Sequence, residues 1–180
     1  MKRLKTTGHL LLMLVLVLTA CGQGHQPEKG WNSLKAAGFS LDYPATWEMV
    51  SPPPTGMAAL VVTPQTSEDD AFRDNVNVLI QSLEGTPIQH LDQYVALSVE
   101  QITTAFADSK LLTNERVTLQ GQPAHHMVYT ATQNRRLTQF DQYFLVKDAK
   151  VYVLTLTCEQ SAVATFAKEG RRILTSFTFQ

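Results

Sequence analysis

Residues 111–157 read LLTNERVTLQGQPAHHMVYTATQNRRLTQFDQYFLVKDAKVYVLTLT, and the spacing of their turn residues decides the fold class. Four strand-like segments stand out: Leu111–Leu119, Ala124–Thr132, Leu137–Val146 and Lys150–Thr157. Gly121-Gln122-Pro123, Gln133-Asn134-Arg135-Arg136 and Lys147-Asp148-Ala149 separate them. Links this short favour antiparallel hairpins, because a parallel crossover needs a dozen or more residues. The stretch is predicted to be an antiparallel meander, which excludes a doubly wound nucleotide-binding fold.

Upstream of the meander lies the clearest helix, His90–Ala107. Leu91, Tyr94, Val95, Ser98, Val99, Ile102, Ala105 and Phe106 recur at three- and four-residue steps, with Asp92, Gln93, Glu100 and Gln101 turned away. This stripe is expected to seal the sheet. Asn75–Ser82 and Met57–Thr63 read as strands, joined by the polar, acidic connection Thr66–Asp74. Ser51–Gly56 contains three consecutive prolines and reads as a loop. The folded part is expected to open at Gly38, where Phe39, Leu41 and Tyr43 alternate as a half-buried strand stopped by Pro44. Trp47 and Met49 are expected to share a face. Downstream, Ser161 can cap a helix carrying Val163, Phe166, Ala167, Ile173 and Leu174, with Gly170 weakening its middle. Phe177-Thr178-Phe179 reads as a terminal strand. The fold class is therefore α+β, with a meandering antiparallel sheet of about six to seven strands packed with two main helices.

The N-terminus has a different character. Lys2, Arg3 and Lys5 precede the nine-residue apolar run Leu10–Leu18. As a helix that run rises about 13 Å, too short for a hydrocarbon core of roughly 30 Å, so it reads as a signal segment. Leu18-Thr19-Ala20-Cys21 follows and resembles the lipobox of bacterial lipoproteins. The resemblance implies that the lipoprotein signal peptidase recognises Leu18, Thr19 and Ala20, and that the Cys21 thiol carries the lipid. Residues 1–20 are thus expected to be a signal peptide. Residues 21–33, rich in Gly and polar groups, read as a lipidated N-terminus and flexible tether, and 34–180 as one domain. The basic residues at 2, 3 and 5 leave with the signal, so the 15 basic and 16 acidic groups of the chain become 12 and 16. A net charge of about −4 argues against nucleic acid as a partner.

The segment FSLDYPATWEMV (39–50) resembles the entry to PsbP-like and DcrB-like domains. Further resemblances lie at Leu91-Asp92-Gln93-Tyr94-Val95, the Gly121-Gln122-Pro123-Ala124 turn, the strand Tyr152–Cys158 and Ile173–Phe177. Gly121 and Pro123 make a turn, and Trp47 and Phe177 read as core. The resemblance implies the fold shared by DcrB-type envelope lipoproteins, PsbP and Ran-binding Mog-type proteins, with helices on both faces of an antiparallel sheet. It supplies no site residues. Asn75, Asn77 and Gln81 share one strand face, as do Thr155 and Thr157, which suggests a partly wet face.

Catalytic and metal chemistry finds little footing in the pattern. His25 lies in the tether and His90 at a helix start. His125 and His126 are adjacent in a strand and point to opposite faces, so they do not chelate together; one is expected at the surface and the other packed. Glu68-Asp69-Asp70 with Asp74 lacks the ordered spacing of a calcium loop. Cys158 ends an apolar run and reads as a buried, inert thiol, since Cys21 is occupied by lipid. No serine sits in a nucleophile elbow. Lys168, Arg171 and Arg172 suit a helix C-terminus, and Arg135-Arg136 a hairpin tip; either can also touch anionic headgroups. No metal or cofactor is called for. The expectation is a non-enzymatic, lipid-anchored envelope protein that binds another envelope protein, its ligand-binding residues unknown. It would sit in the outer membrane facing the periplasm if the host has two membranes. The rivals are a carrier of a small apolar ligand and an envelope hydrolase whose site is assembled in space.

Overall fold

The structure is a computed structural model that describes residues 26–36, 38–65 and 72–180. In chain order the elements are β1 (Trp31–Ala36), β2 (Phe39–Pro44), β3 (Glu48–Met49), β4 (Met57–Val62), β5 (Asn75–Ser82) and α1 (Leu91–Ala105). They continue with β6 (Lys110–Leu119), β7 (Gln122–Gln133), β8 (Arg136–Lys147), β9 (Lys150–Glu159), α2 (Val163–Thr175) and β10 (Thr178–Phe179). The fold is α+β, as the turn spacing predicts.

The predicted meander is four consecutive antiparallel strands, and its turns are shorter than the sequence suggests. Pairing runs to Leu119↔Gln122, Gln133↔Arg136 and Lys147↔Lys150, leaving two residues in each loop. Both loop residues have positive φ every time: Gln120 and Gly121, Asn134 and Arg135, Asp148 and Ala149. Such turns match the right-handed twist of the strands they join. Four of the six are neither Gly nor Asn, so the sequence marks the turns only in part.

The large sheet has the order β3-β4-β5-β9-β8-β7-β6, with every neighbouring pair antiparallel. Helix α1 carries the chain from β5 to the far edge at β6, and the meander then walks back until β9 pairs with β5. A second sheet, β1-β2-β10, lies with α2. One apolar cluster joins this small sheet and α2 to the alternate residues Tyr152, Leu154, Leu156 and Cys158 of β9. The other joins α1 to Val151 and Val153, which point the opposite way. The sheet is therefore covered on both faces.

Several boundaries differ from expectation. The expected tether ran to residue 33 and the first strand began at Gly38, yet β1 starts at Trp31 and pairs with β2 from Trp31↔Pro44 to Ala36↔Phe39. Strand β2 is buried at all six positions, because it is central in its sheet. Trp47 is core, as expected, and its Nε1 donates to Glu169 Oε2 at 3.2 Å, whereas Met49 is exposed. Ser161 does not cap α2; Ala162 holds that position with no side-chain bond. Gly170 is the point where α2 touches the sheet, since a β-carbon there would collide with the Leu156 side chain. What looked like a weakness in the helix is what lets it approach so closely.

Candidate functional site

Helix α1 docks less deeply than its stripe predicts. Only Val95 is buried; Leu91, Tyr94, Ser98, Val99, Ile102 and Phe106 are half-buried. Ser98 turns its hydroxyl onto its own helix, donating to the Tyr94 carbonyl at 2.8 Å. The stripe does face the sheet and pack on its apolar cluster, as expected, but it closes that face only partly. The flank toward β5 and β9 holds an open cleft of about 300 Å³. Its floor is Leu79, Tyr129, Phe144 and Val153, and its helical wall is Tyr94, Ser98, Gln101, Ile102 and Phe106. The other flank, toward β6, holds a cleft of about 180 Å³ between Val99, Ile102, Leu111 and Tyr129. Leu111 and the neighbouring Leu112 are among the most exposed large apolar side chains described, at 47% and 57%.

Amides and hydroxyls line this apolar floor. Tyr94 donates its hydroxyl to Gln81 Oε1 at 2.6 Å, and Gln142 Nε2 donates to Thr155 Oγ1 at 3.0 Å. Asn77 Nδ2 reaches Asn75 Oδ1 at 3.4 Å. The partly wet face expected from Asn75, Asn77, Gln81, Thr155 and Thr157 is this α1 face. Burial raises the Tyr94 hydroxyl above its ordinary range and pushes Tyr129 up to about 12, so both stay neutral. A surface of uncharged donors and acceptors around apolar walls suits binding by shape and hydrogen bonding.

The histidines point to opposite faces, as alternation requires, but neither is a plain surface residue. His125 faces α1 and its Nε2 lies 2.6 Å from Asn114 Oδ1. Burial holds its imidazole below the ordinary value of 6.5, which favours the neutral ring. His126 faces α2, stacks on Tyr143 at 4.5 Å and places Nε2 2.8 Å from Asp141 Oδ1. Asp141 is buried, and Arg171 donates to its Oδ2 from Nε at 3.0 Å and Nη2 at 2.8 Å. The His126–Asp141 contact was not legible in the sequence, since fifteen residues separate the pair and only the β7–β8 register aligns them. It resembles a base and its orienter, and the second carboxylate oxygen fastens α2 to the sheet through Arg171.

Cys158 is buried, and desolvation together with the Asp74 carboxylate pushes its thiol up to about 12. Asp74 belongs to the fold, accepting the Glu159 amide at 2.7 Å. His90 precedes the first turn of α1, where Gln93 Oε1 accepts the amide N–H groups of Gln89 and His90 at 2.6 and 3.1 Å. Leu18, Thr19, Ala20, Cys21, His25 and Glu68-Asp69-Asp70 lie outside the described residues. Among the described residues no three His, Cys, Asp or Glu side chains converge as a metal site, and no helix is long and apolar enough to cross a membrane.

Comparison with known proteins places this geometry in a family. The solution structure of cyanobacterial PsbP from Synechocystis sp. PCC 6803 superposes with a TM-score of 0.58 at 15% identity, over 88% of this chain and 99% of that one. LpqN, involved in cell envelope biogenesis of Mycobacterium tuberculosis, gives 0.57 at 14% identity, over 79% and 83%. The Saccharomyces cerevisiae Ran-binding protein Mog1p gives 0.54 at 12% identity, over 83% and 96%. At such identities the likeness is one of fold. No curated protein matches the chain. The family model described as PsbP-like protein matches residues 22–179, every described element included, and the chain belongs to the PsbP-like family.

Proposed function

We propose that this chain is a lipid-anchored, non-catalytic binding module of the cell envelope. Acyl chains on Cys21 hold it at the membrane, and the groove beside α1 receives a partner protein. The observation that carries the reading is the groove itself: an open, largely apolar cleft with the side chains of Gln81, Gln101 and Gln142 on its lining. An open cleft suits a protruding loop or helix of another protein better than a small apolar molecule, which needs enclosure. The histidine nearest a carboxylate, His126, lies on the other face, and its Asp141 partner is committed to Arg171. That placement weighs against hydrolytic chemistry. In a host with two membranes, Gly22 and Gln23 after Cys21 favour the outer one, and fractionation that placed the protein wholly in the inner membrane would refute this.

A photo-crosslinking side chain at Gln101 in the full-length protein tests the reading in intact cells. A discrete protein adduct is expected from Gln101 and none from Thr165 on α2. A lipid or small-molecule adduct at Gln101 would instead support the carrier. Labelling with a fatty acid should mark the wild type and not Cys21→Ala; equal labelling of both would end the lipoprotein reading.

A further inference from the structure

The start of the described chain is fastened to α2. Arg172 pairs with Glu28 and lies 4.0 Å over the Trp31 ring. Seven peptide links separate Cys21 from Glu28, and they reach at most about 25 Å when fully extended. A domain of this size is about 38 Å across. An anchor at Cys21 therefore cannot bring α1 to the bilayer as readily as α2, because the two helices cover opposite faces of the sheet.

Charge divides the same way. Helix α1 carries Asp92 and Glu100 and no basic residue, whereas α2 carries Lys168, Arg171 and Arg172 against Glu169. Lys29 and Lys35 add two exposed cations on and before β1. We infer that the α2–β1 face is a docking surface for the anionic bilayer that holds the anchor. Lys29, Lys35, Lys168 and Arg172 meet the headgroups, Trp31 sits at the interface, and the α1 groove points away from the membrane. Arg172 is half exposed and can exchange the Glu28 carboxylate for a lipid phosphate; tryptophan favours this depth. Each basic side chain near such a surface contributes about fivefold to the docking equilibrium.

The inference rests on the Cys21 anchor, so the test reads both. Full-length protein purified from membranes is reconstituted into phosphatidylcholine vesicles, with or without phosphatidylglycerol, containing chains brominated near the headgroup. Tryptophan emission is expected to be quenched with phosphatidylglycerol present, and the quenching to vanish in Trp31→Phe. Lys29→Gln and Lys168→Gln should each lower docking about fivefold, while Glu100→Gln leaves it unchanged. Absence of quenching in protein whose Cys21 peptide carries acyl chains would overturn the orientation alone. Equal quenching without phosphatidylglycerol would overturn the charge pairing. Protein with no acyl group on Cys21 would overturn the anchor and the inference together.

Discussion

The two faces of the seven-stranded sheet are covered by one helix each, yet they are built to different standards. Among the described residues, twenty buried apolar side chains lie under α2 and the small sheet, Phe39, Phe177, Ile173 and Leu174 with no measurable exposure. Nine of the described residues lie buried under α1, and the helix itself contributes only Val95 to them. Gly170 lets α2 approach the sheet without a β-carbon between them, and the Arg171–Asp141 pair fastens it. Helix α1 is held by half-buried side chains with open clefts on both flanks. The two faces differ accordingly: one supplies most of the buried core, and the other leaves apolar surface accessible in its clefts.

The largest expected effect lies on the packed face. Phe177→Ala should cost about 3–5 kcal/mol, since its ring stacks on Phe39 at 5.4 Å and meets Tyr152 and Phe179. Chemical denaturation would read this, and a loss below about 1 kcal/mol would break the comparison. Gly170→Ala comes next, at about 1–3 kcal/mol, because the new methyl must displace Leu156 or lift the helix. Phe106→Ala on the open face should cost about 2 kcal/mol, half the value for a fully buried ring.

The difference between the faces was only partly legible in the sequence. Period and turn residues were enough for the meander, and β5 was predicted at Asn75–Ser82, the bounds the structure shows. Hydrophobic stripes identified which side of each helix turns inward. They carry no measure of depth, which depends on what the sheet presents opposite; Leu156 meets a glycine, whereas the sheet face toward α1 sets the amides of Gln81 and Gln142 among its apolar residues. Strand β1 escaped notice because WNSLKA buries only Leu34, and its order comes from pairing with β2. The β10–β2 pairing joins Thr178 to Ser40, a contact across the whole domain that no local pattern encodes. Cys158 was predictable as a buried thiol from its apolar neighbours. The histidines were legible as pointing apart, but their partners Asn114 and Asp141 sit on adjacent strands and appear only once the register is known.

A smaller effect should appear with pH. His125 is held below its ordinary value of 6.5, so in acid the unfolded chain binds a proton more readily than the folded one. Its contribution is fully present above the ordinary value and is lost as pH falls through the lowered one. Unfolding midpoints of wild type and His125→Asn, compared between pH 8 and 5, should show the wild type losing more on acidification. Equal slopes would remove His125 from the account. The smallest effect is expected at Gln101, an exposed groove residue, where alanine should change stability within about 0.5 kcal/mol.

The most direct test of a stability face set against a binding face is Phe106→Ala, examined for both properties in one preparation. Crosslinking from Gln101 reports partner engagement, and the unfolding midpoint of the same purified protein reports stability. The account predicts that the adduct is lost while the stability change stays at about 2 kcal/mol, short of Phe177→Ala. An adduct of undiminished yield, or a destabilisation as large as that of Phe177→Ala, would show that α1 is ordinary core and would contradict it.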